Sequence, residues 1–195
     1  ADACAKSGSW LIHFSTSEIY GKTSADSGLL DEDTSEITLG PVPASRWSYA
    51  TAKLLTERYL FALENLRWTI VRPFNFVGPY MDFMPGVDGE GIPRVLANFS
   101  AALVRGEPMK LVDGGLAKRS FTSVHDAVDF MFCLFENDSQ GVGQVFNVGN
   151  PHNELTIAEL ANKMRKVFAE IKGVDESLVP LPEVVDGALY YGRGD

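Results

Sequence analysis

Tyr49 and Lys53 stand four residues apart in the stretch Tyr49-Ala-Thr-Ala-Lys53. On a helix this spacing puts a phenol and an ammonium on one face, one above the other. An ammonium held beside a tyrosine favours the phenolate and lowers the phenol below its ordinary pKa of about 10. Such a group takes a proton from an alcohol near neutral pH. That is the base needed where a hydride must leave the same carbon. Alone, the pattern is short and common, and an amphipathic helix with a surface lysine would also produce it. Its setting gives it weight.

The elements around it read as an α/β unit. Trp10–Phe14 is a short apolar run, expected as a buried parallel strand. Ser15, Thr16, Ser17 and Glu18 follow at its carboxyl end, where open α/β sheets hold their ligands. Tyr20 to Pro43 is loop-like, and a loop of that length in a compact domain is often functional. Arg46-Trp47 leads into the helix of Tyr49 and Lys53, expected to run to Glu64 with Leu54, Leu55, Tyr59, Leu60 and Ala62 on its buried face. Trp68–Val71 is the next strand. Arg72-Pro73 should end it, because proline cannot continue a central ladder, which puts Phe74 and Asn75 at a second strand end. Two strands with a helix between them make a right-handed βαβ unit.

Further on, Tyr80–Gly91 reads as a loop, and a helix over 92–105 opens at Pro93. Met109–Val112 is a strand, Asp113–Gly115 a turn, and Ser123 caps a helix to Phe135. Gln144–Val148 is a strand, and the capping box Thr156-Ile-Ala-Glu159 opens a helix to Ile171. The rest reads as irregular. The sequence has no internal repeat and no low-complexity tract.

Composition bounds the reading. The length of 195 residues suits one domain with a real core. The 45% hydrophobic and 22% charged content is that of an ordinary soluble protein. A net charge of −9 without a basic patch argues against nucleic acid as a partner. No apolar run reaches the ~20 residues of a membrane span. Charge and polarity interrupt the first residues, so they do not read as a signal peptide. Cys4 and Cys133 lie in no ligand-like spacing and read as free thiols of a reducing, cytoplasmic compartment. His13, His125 and His152 form no metal pattern, so no metal is expected.

Together STSEIYG (15–21), RWSYATAK (46–53), RPFNFVGP (72–79), KLVDGGLAKRSF (110–121) and FNVGNP (146–151) resemble the extended short-chain dehydrogenase/reductase family, the NAD-dependent epimerases and dehydratases. Within it the chain looks most like the nucleotide-sugar enzymes that oxidatively decarboxylate UDP-glucuronate, the UDP-apiose/UDP-xylose synthases and the dehydrogenase domain of the polymyxin-resistance protein. MDFMPGVDGEGIPRV (81–95) is particularly close to the synthases. The resemblance covers the whole chain and implies a Rossmann-like parallel sheet with a small carboxyl-terminal substrate lobe. Residues 1–78 would be the later part of the NAD-binding domain. Residues 79–195 would be mainly the substrate lobe, with 121–148 returning to the sheet.

The resemblance also implies roles. Tyr49 would accept the proton of the sugar 4-hydroxyl, and Lys53 would bind the nicotinamide ribose. Phe14, Ser15 and Pro73 would also line the NAD site. Thr16 and Ser17 would contact substrate beside the nicotinamide, and Glu18 would be the acid/base of decarboxylation. Arg46 and Asn75 would hold the substrate. Arg94, Lys110, Leu111, Arg119 and Tyr190 would hold the nucleotide end, where guanidinium groups suit a diphosphate. A homodimer is implied for the full-length protein.

The chain departs from the family in three places. None of the 18 glycines forms the Gly-rich dinucleotide turn, so a longer protein is expected, and residues 1–195 alone are expected to bind NAD⁺ weakly. The arginine that follows Tyr190-Tyr-Gly-Arg-Gly194 in the family lies past Asp195. Ser17 stands where apiose-forming members carry cysteine, so ring contraction is not implied. Two other readings stand beside the decarboxylase: a UDP-sugar 4-epimerase, which shares Tyr49 and Lys53, and a non-catalytic nucleotide-sugar-binding fragment.

Overall fold

The structure, a computed structural model, describes residues 1–23, 28–91 and 93–187. In chain order the helices are α1 (Asp2–Ser7), α2 (Ser48–Phe61), α3 (Val95–Arg105), α4 (Val124–Glu136), α5 (Asp138–Gly141) and α6 (Ile157–Lys172). The strands are β1 (Leu11–Phe14), β2 (Trp68–Pro73), β3 (Asn75–Val77), β4 (Lys110–Val112), β5 (Lys118–Ser123), β6 (Val145–Val148), β7 (Glu154–Thr156) and β8 (Glu183–Val185). This is the α/β class expected from the sequence.

In place of the single domain suggested by length, the chain divides into two compact units. Ala1–Phe76 with Thr122–Pro151 forms the first; Val77–Phe121 with the stretch from His152 forms the second.

The first unit is built on a parallel sheet in the order β1-β2-β6. Leu11 pairs with Trp68 and Phe14 with Val71; on the other side Ile70 pairs with Val145 and Pro73 with Val148. Central β2 is buried from Trp68 to Arg72. β1, expected to be buried, is only half-buried, and Phe14 is 45% exposed. Among the described residues it has a strand on one side only. Two apolar clusters cover the sheet, one around Leu60, Leu66, Trp68 and Ile70, the other around Val71, Leu134 and Val148.

Three expectations for this unit need correction. The strand does not stop before Arg72-Pro73: both residues pair with β6, opposite Asn147 and Val148. Proline is tolerated there for a reason visible in the ladder. Ile70 and Phe74 donate their N–H groups to Gln144 and Val148 on the β6 side. Alternate residues point the other way, so the N–H that Pro73 lacks falls on the β1 side, beyond the end of that strand. Next, α2 ends at Phe61 and not at Glu64. Its expected inward face is met only in part: Leu60 is buried and Leu54 half-buried as expected, but Leu55, Tyr59 and Ala62 are exposed, and Ala50 and Glu57 are buried in their place.

The second unit has its own core of Phe99, Leu103, Met109, Leu111, Phe121, Leu160, Ala161, Ala169 and Val179. β5 runs antiparallel to β7, and β4 runs parallel to β8. β5 and β8 were not expected from the sequence; both are too short or too polar to show a clear period. α3 begins at Val95, two residues after Pro93, with Arg94 as its cap. The capping box is fully formed. Thr156 Oγ1 accepts the Glu159 N–H at 3.1 Å, and the Glu159 carboxylate accepts the Thr156 N–H at 2.7 Å. Thr156→Ala should therefore lower stability by about 1 kcal/mol, read as a shift in the urea midpoint at unchanged slope. An unchanged midpoint would mean the cap is dispensable.

Candidate active site

The site begins where β1 stops. Ser15 donates its N–H to the Val71 carbonyl at 2.7 Å, the last rung on that side. Its side chain is buried, and its Oγ has no partner among the described residues. Thr16 is extended and buried. Its Oγ1 accepts the Glu18 N–H at 3.2 Å and so caps a 3-10 turn over Ser17–Tyr20. Ser17 is half-buried and the Glu18 carboxylate is exposed. Gly21 then turns the chain away at φ 71°. A Cβ there would lie 2.1 Å from the Thr38 carbonyl oxygen, so only glycine fits.

Helix α2 meets this strand end. A 3-10 turn over Ser45–Trp47 leads into it, with the exposed Arg46 guanidinium 4.6 Å from the Trp47 ring centre. Tyr49 is half-exposed at 50%. Lys53 Nζ donates to the Phe14 carbonyl at 2.6 Å and sits 5.9 Å from the centre of the Tyr49 ring. The spacing of four residues has the effect expected of it: phenol and ammonium share a face. The structure thus brings Tyr49, Lys53, Phe14, Ser15 and Thr16 to one strand end. Pro73 closes β2, and half-buried Asn75 opens β3.

Beneath these residues lies a polar layer that sequence reasoning missed. Glu57 follows Lys53 by one turn and faces inward. Its carboxylate accepts from Arg72 Nε at 3.1 and 3.2 Å and from Nη2 at 2.7 Å. The two side chains are 2% and 6% exposed. Arg72 Nη1 donates to the Tyr20 hydroxyl at 2.7 Å and to the Glu32 carbonyl at 3.0 Å. Tyr20 in turn donates to Asn147 Oδ1 at 2.9 Å. Asn147 Nδ2 donates to the Leu30 carbonyl, and its N–H donates to the Glu32 carboxylate. One network thus ties α2, β2, β6, the 3-10 turn and the long loop. Burial works against the Arg72 cation, but the hydrogen bonds and charge of Glu57 hold its pKa above the usual value. Burial also raises the Tyr20 phenol, against the pull of Arg72. The signal was present in the sequence as a carboxylate on the inward face of a helix and a guanidinium in an apolar strand.

His13 lies in β1 beside Phe14. Its Nε2 is buried with no hydrogen-bond partner among the described residues. Burial first, then the Lys53 charge, lowers its pKa, with Glu57 opposing.

In the second unit, Arg94 donates from its N–H and its Nε to the Asp82 carboxylate at 2.8 and 3.1 Å, and from Nη2 to the Met81 carbonyl. Lys110 is exposed at the start of β4. Leu111 is buried in the core of the unit, so its side chain packs and does not face a ligand. Arg119 is exposed on β5, and its Nη1 donates to the Lys118 carbonyl at 2.7 Å. Tyr190 lies outside the described residues. Among the described residues no cluster of His, Cys, Asp and Glu could hold a metal ion. No helix there is long and apolar enough to cross a membrane.

Residues 1–149 match the NAD dependent epimerase/dehydratase family. The chain is 46% identical over 212 aligned residues to the UDP-D-apiose/UDP-D-xylose synthase of Oryza sativa subsp. japonica, covering 98% of this chain and 52% of the rice protein. Against UDP-D-apiose/UDP-D-xylose synthase 1 of Arabidopsis thaliana it is 46% identical, covering 98% and 54%. Among solved structures it is similar to the PbgP3 protein of Burkholderia pseudomallei, at 38% identity and a TM-score of 0.81, over 95% of this chain and 55% of that one. The chain spans about half the length of the relatives it matches. With the family match running from β1 through α2 to β6, this chain belongs to the NAD dependent epimerase/dehydratase family.

Proposed function

We propose that this chain is part of an NAD-dependent enzyme that oxidises UDP-glucuronate at C4 and removes its carboxylate as CO₂. The observation that carries the reading is Lys53, held on the Phe14 carbonyl at the end of β1 with the Tyr49 ring beside it. Relatives at 46% identity named as UDP-D-apiose/UDP-D-xylose synthases support the substrate class.

The residues present fit the nicotinamide end of NAD. Phe14 accepts one of the three protons of the Lys53 ammonium, which leaves donors for ribose hydroxyls. Ser15 offers a buried hydroxyl with no partner among the described residues. When bound, NAD⁺ takes up the hydride that leaves the sugar C4. Tyr49 takes the proton of the 4-hydroxyl, with Lys53 holding the ribose. The product of that step is a β-keto acid, which loses CO₂ through an enolate. Glu18, exposed at the strand end, handles the proton at the carbon left behind in this reading. Thr16 and Ser17 contact the sugar, with Arg46 and Asn75 as further holds.

In this reading Arg94, Lys110 and Arg119 grip the nucleotide diphosphate. A homodimer belongs to the same reading, supported by the exposed Leu55, Tyr59 and Phe61 on α2. A cytoplasmic setting fits the free thiols Cys4 and Cys133. The product is a UDP-4-keto-pentose or its reduced pentose. A 4-epimerase would share Tyr49 and Lys53 but would give Glu18 no decarboxylation to serve.

Two variants of the full-length protein test the roles. Tyr49→Phe should lower NAD⁺ reduction by at least about a hundredfold with the fold intact, the scale of a lost general base. A near-parental rate would remove Tyr49 as the base. Glu18→Gln should slow CO₂ release by a similar factor while calorimetry shows parental affinity for UDP-glucuronate. Normal release of ¹³CO₂ from labelled substrate would assign that step elsewhere.

A further inference from the structure

We infer that Arg72 acts as a positioning residue that keeps Glu57 away from Lys53. The inference rests on the Tyr49–Lys53 chemistry proposed above.

Tyr49, Lys53 and Glu57 follow one another at four-residue steps, so all three share one face of α2. Glu57 and Lys53 are therefore natural ion-pair partners on an isolated helix. In this structure they do not pair. Both carboxylate oxygens of Glu57 are taken by Arg72 Nε and Nη2. The Lys53 ammonium goes instead to the neutral Phe14 carbonyl at 2.6 Å and stays beside the Tyr49 ring.

The geometry explains why Arg72 wins. Its planar fork matches a carboxylate in a way that an ammonium cannot. It approaches from the fully buried stretch of β2, and its third nitrogen is fixed by the Tyr20 hydroxyl and the Glu32 carbonyl. A carboxylate that is 2% exposed must have a cation, because leaving it unpaired is costly. If Arg72 were lost, the nearest cation on the same helix face would be Lys53. The ammonium would then be neutralised and drawn inward, away from the ribose site and from Tyr49. Arg72 thus supplies Glu57 with a partner so that Lys53 keeps an uncompensated charge where the chemistry uses it.

Single and double variants of the full-length protein separate this from a packing role. Arg72→Gln should lower kcat about a hundredfold, the cost of misplacing a reacting group by roughly 1 Å, with KM for UDP-glucuronate within about threefold. Adding Glu57→Gln removes the carboxylate that captures Lys53, so the double variant should recover at least about tenfold of the lost kcat. A packing role predicts the reverse, since the double variant has lost both partners. A double variant no faster than Arg72→Gln, or an Arg72→Gln protein at parental kcat, would overturn the inference.

Arg72→Lys covers the case in which Arg72→Gln does not fold. Its point charge cannot bind both carboxylate oxygens in a fork, and kcat should fall about tenfold; parental kcat overturns. A crystal structure of the folded Arg72 variant gives a readout that needs no turnover. Lys53 Nζ paired with the Glu57 carboxylate supports the inference, and Lys53 still on the Phe14 carbonyl refutes it. A parent protein that does not turn over UDP-glucuronate would count against the proposed reaction alone, and this structural readout would still decide the role of Arg72.

Discussion

The ion pair of Glu57 and Arg72 is the constraint on which the first unit is built. Both charges are out of water, and desolvating them costs several kcal/mol each. The cost is offset by a chain of hydrogen bonds: carboxylate to guanidinium, guanidinium to the Tyr20 hydroxyl and the Glu32 carbonyl, hydroxyl to Asn147. Removing one member strands the other, at roughly 3–5 kcal/mol. The network therefore fixes α2 on the sheet in one setting. The helix face that carries Tyr49 and Lys53 is set by the same contact, since they are the two preceding members of the series that ends in Glu57.

A second consequence concerns the strand-end turn. Tyr20 closes the turn that holds Thr16, Ser17 and Glu18. Its hydroxyl sits between Arg72 and Asn147. Tyr49 on α2 and the Glu18 carboxylate at the end of β1 are thus referenced to one guanidinium. The long loop joins through the Glu32 carbonyl and carboxylate and the Leu30 carbonyl, which gives it a fixed path over the described residues.

Local signals carried much of this in the sequence. The i, i+4 pair on α2 and the capping box of α6 depend on neighbours in the chain, and both are found as read; the apolar run of β1 is a strand too, but half-buried where burial was expected. What escaped depends on tertiary context. Pro73 reads as a strand end until the register shows that its missing donor faces the side where β1 has stopped. Leu55 and Tyr59 read as core, but the buried face of α2 is set by Glu57 and Leu60, and hydrophobicity alone cannot rank a paired carboxylate above a leucine. β8 has meaning only against β4, far away in sequence. Leu111 falls in a motif that the family uses for ligand, yet its side chain fills the core.

Transfer of the C4 hydrogen tests the central claim most directly. Full-length protein would be incubated with NAD⁺ and UDP-glucuronate carrying deuterium at C4, with nicotinamide, sugar and CO₂ followed by NMR. Tyr49 and Lys53 acting at the strand end predict that deuterium leaves C4 for the nicotinamide, with CO₂ released in equal amount to the sugar oxidised. Deuterium lost to water, or sugar converted without CO₂, would contradict the account.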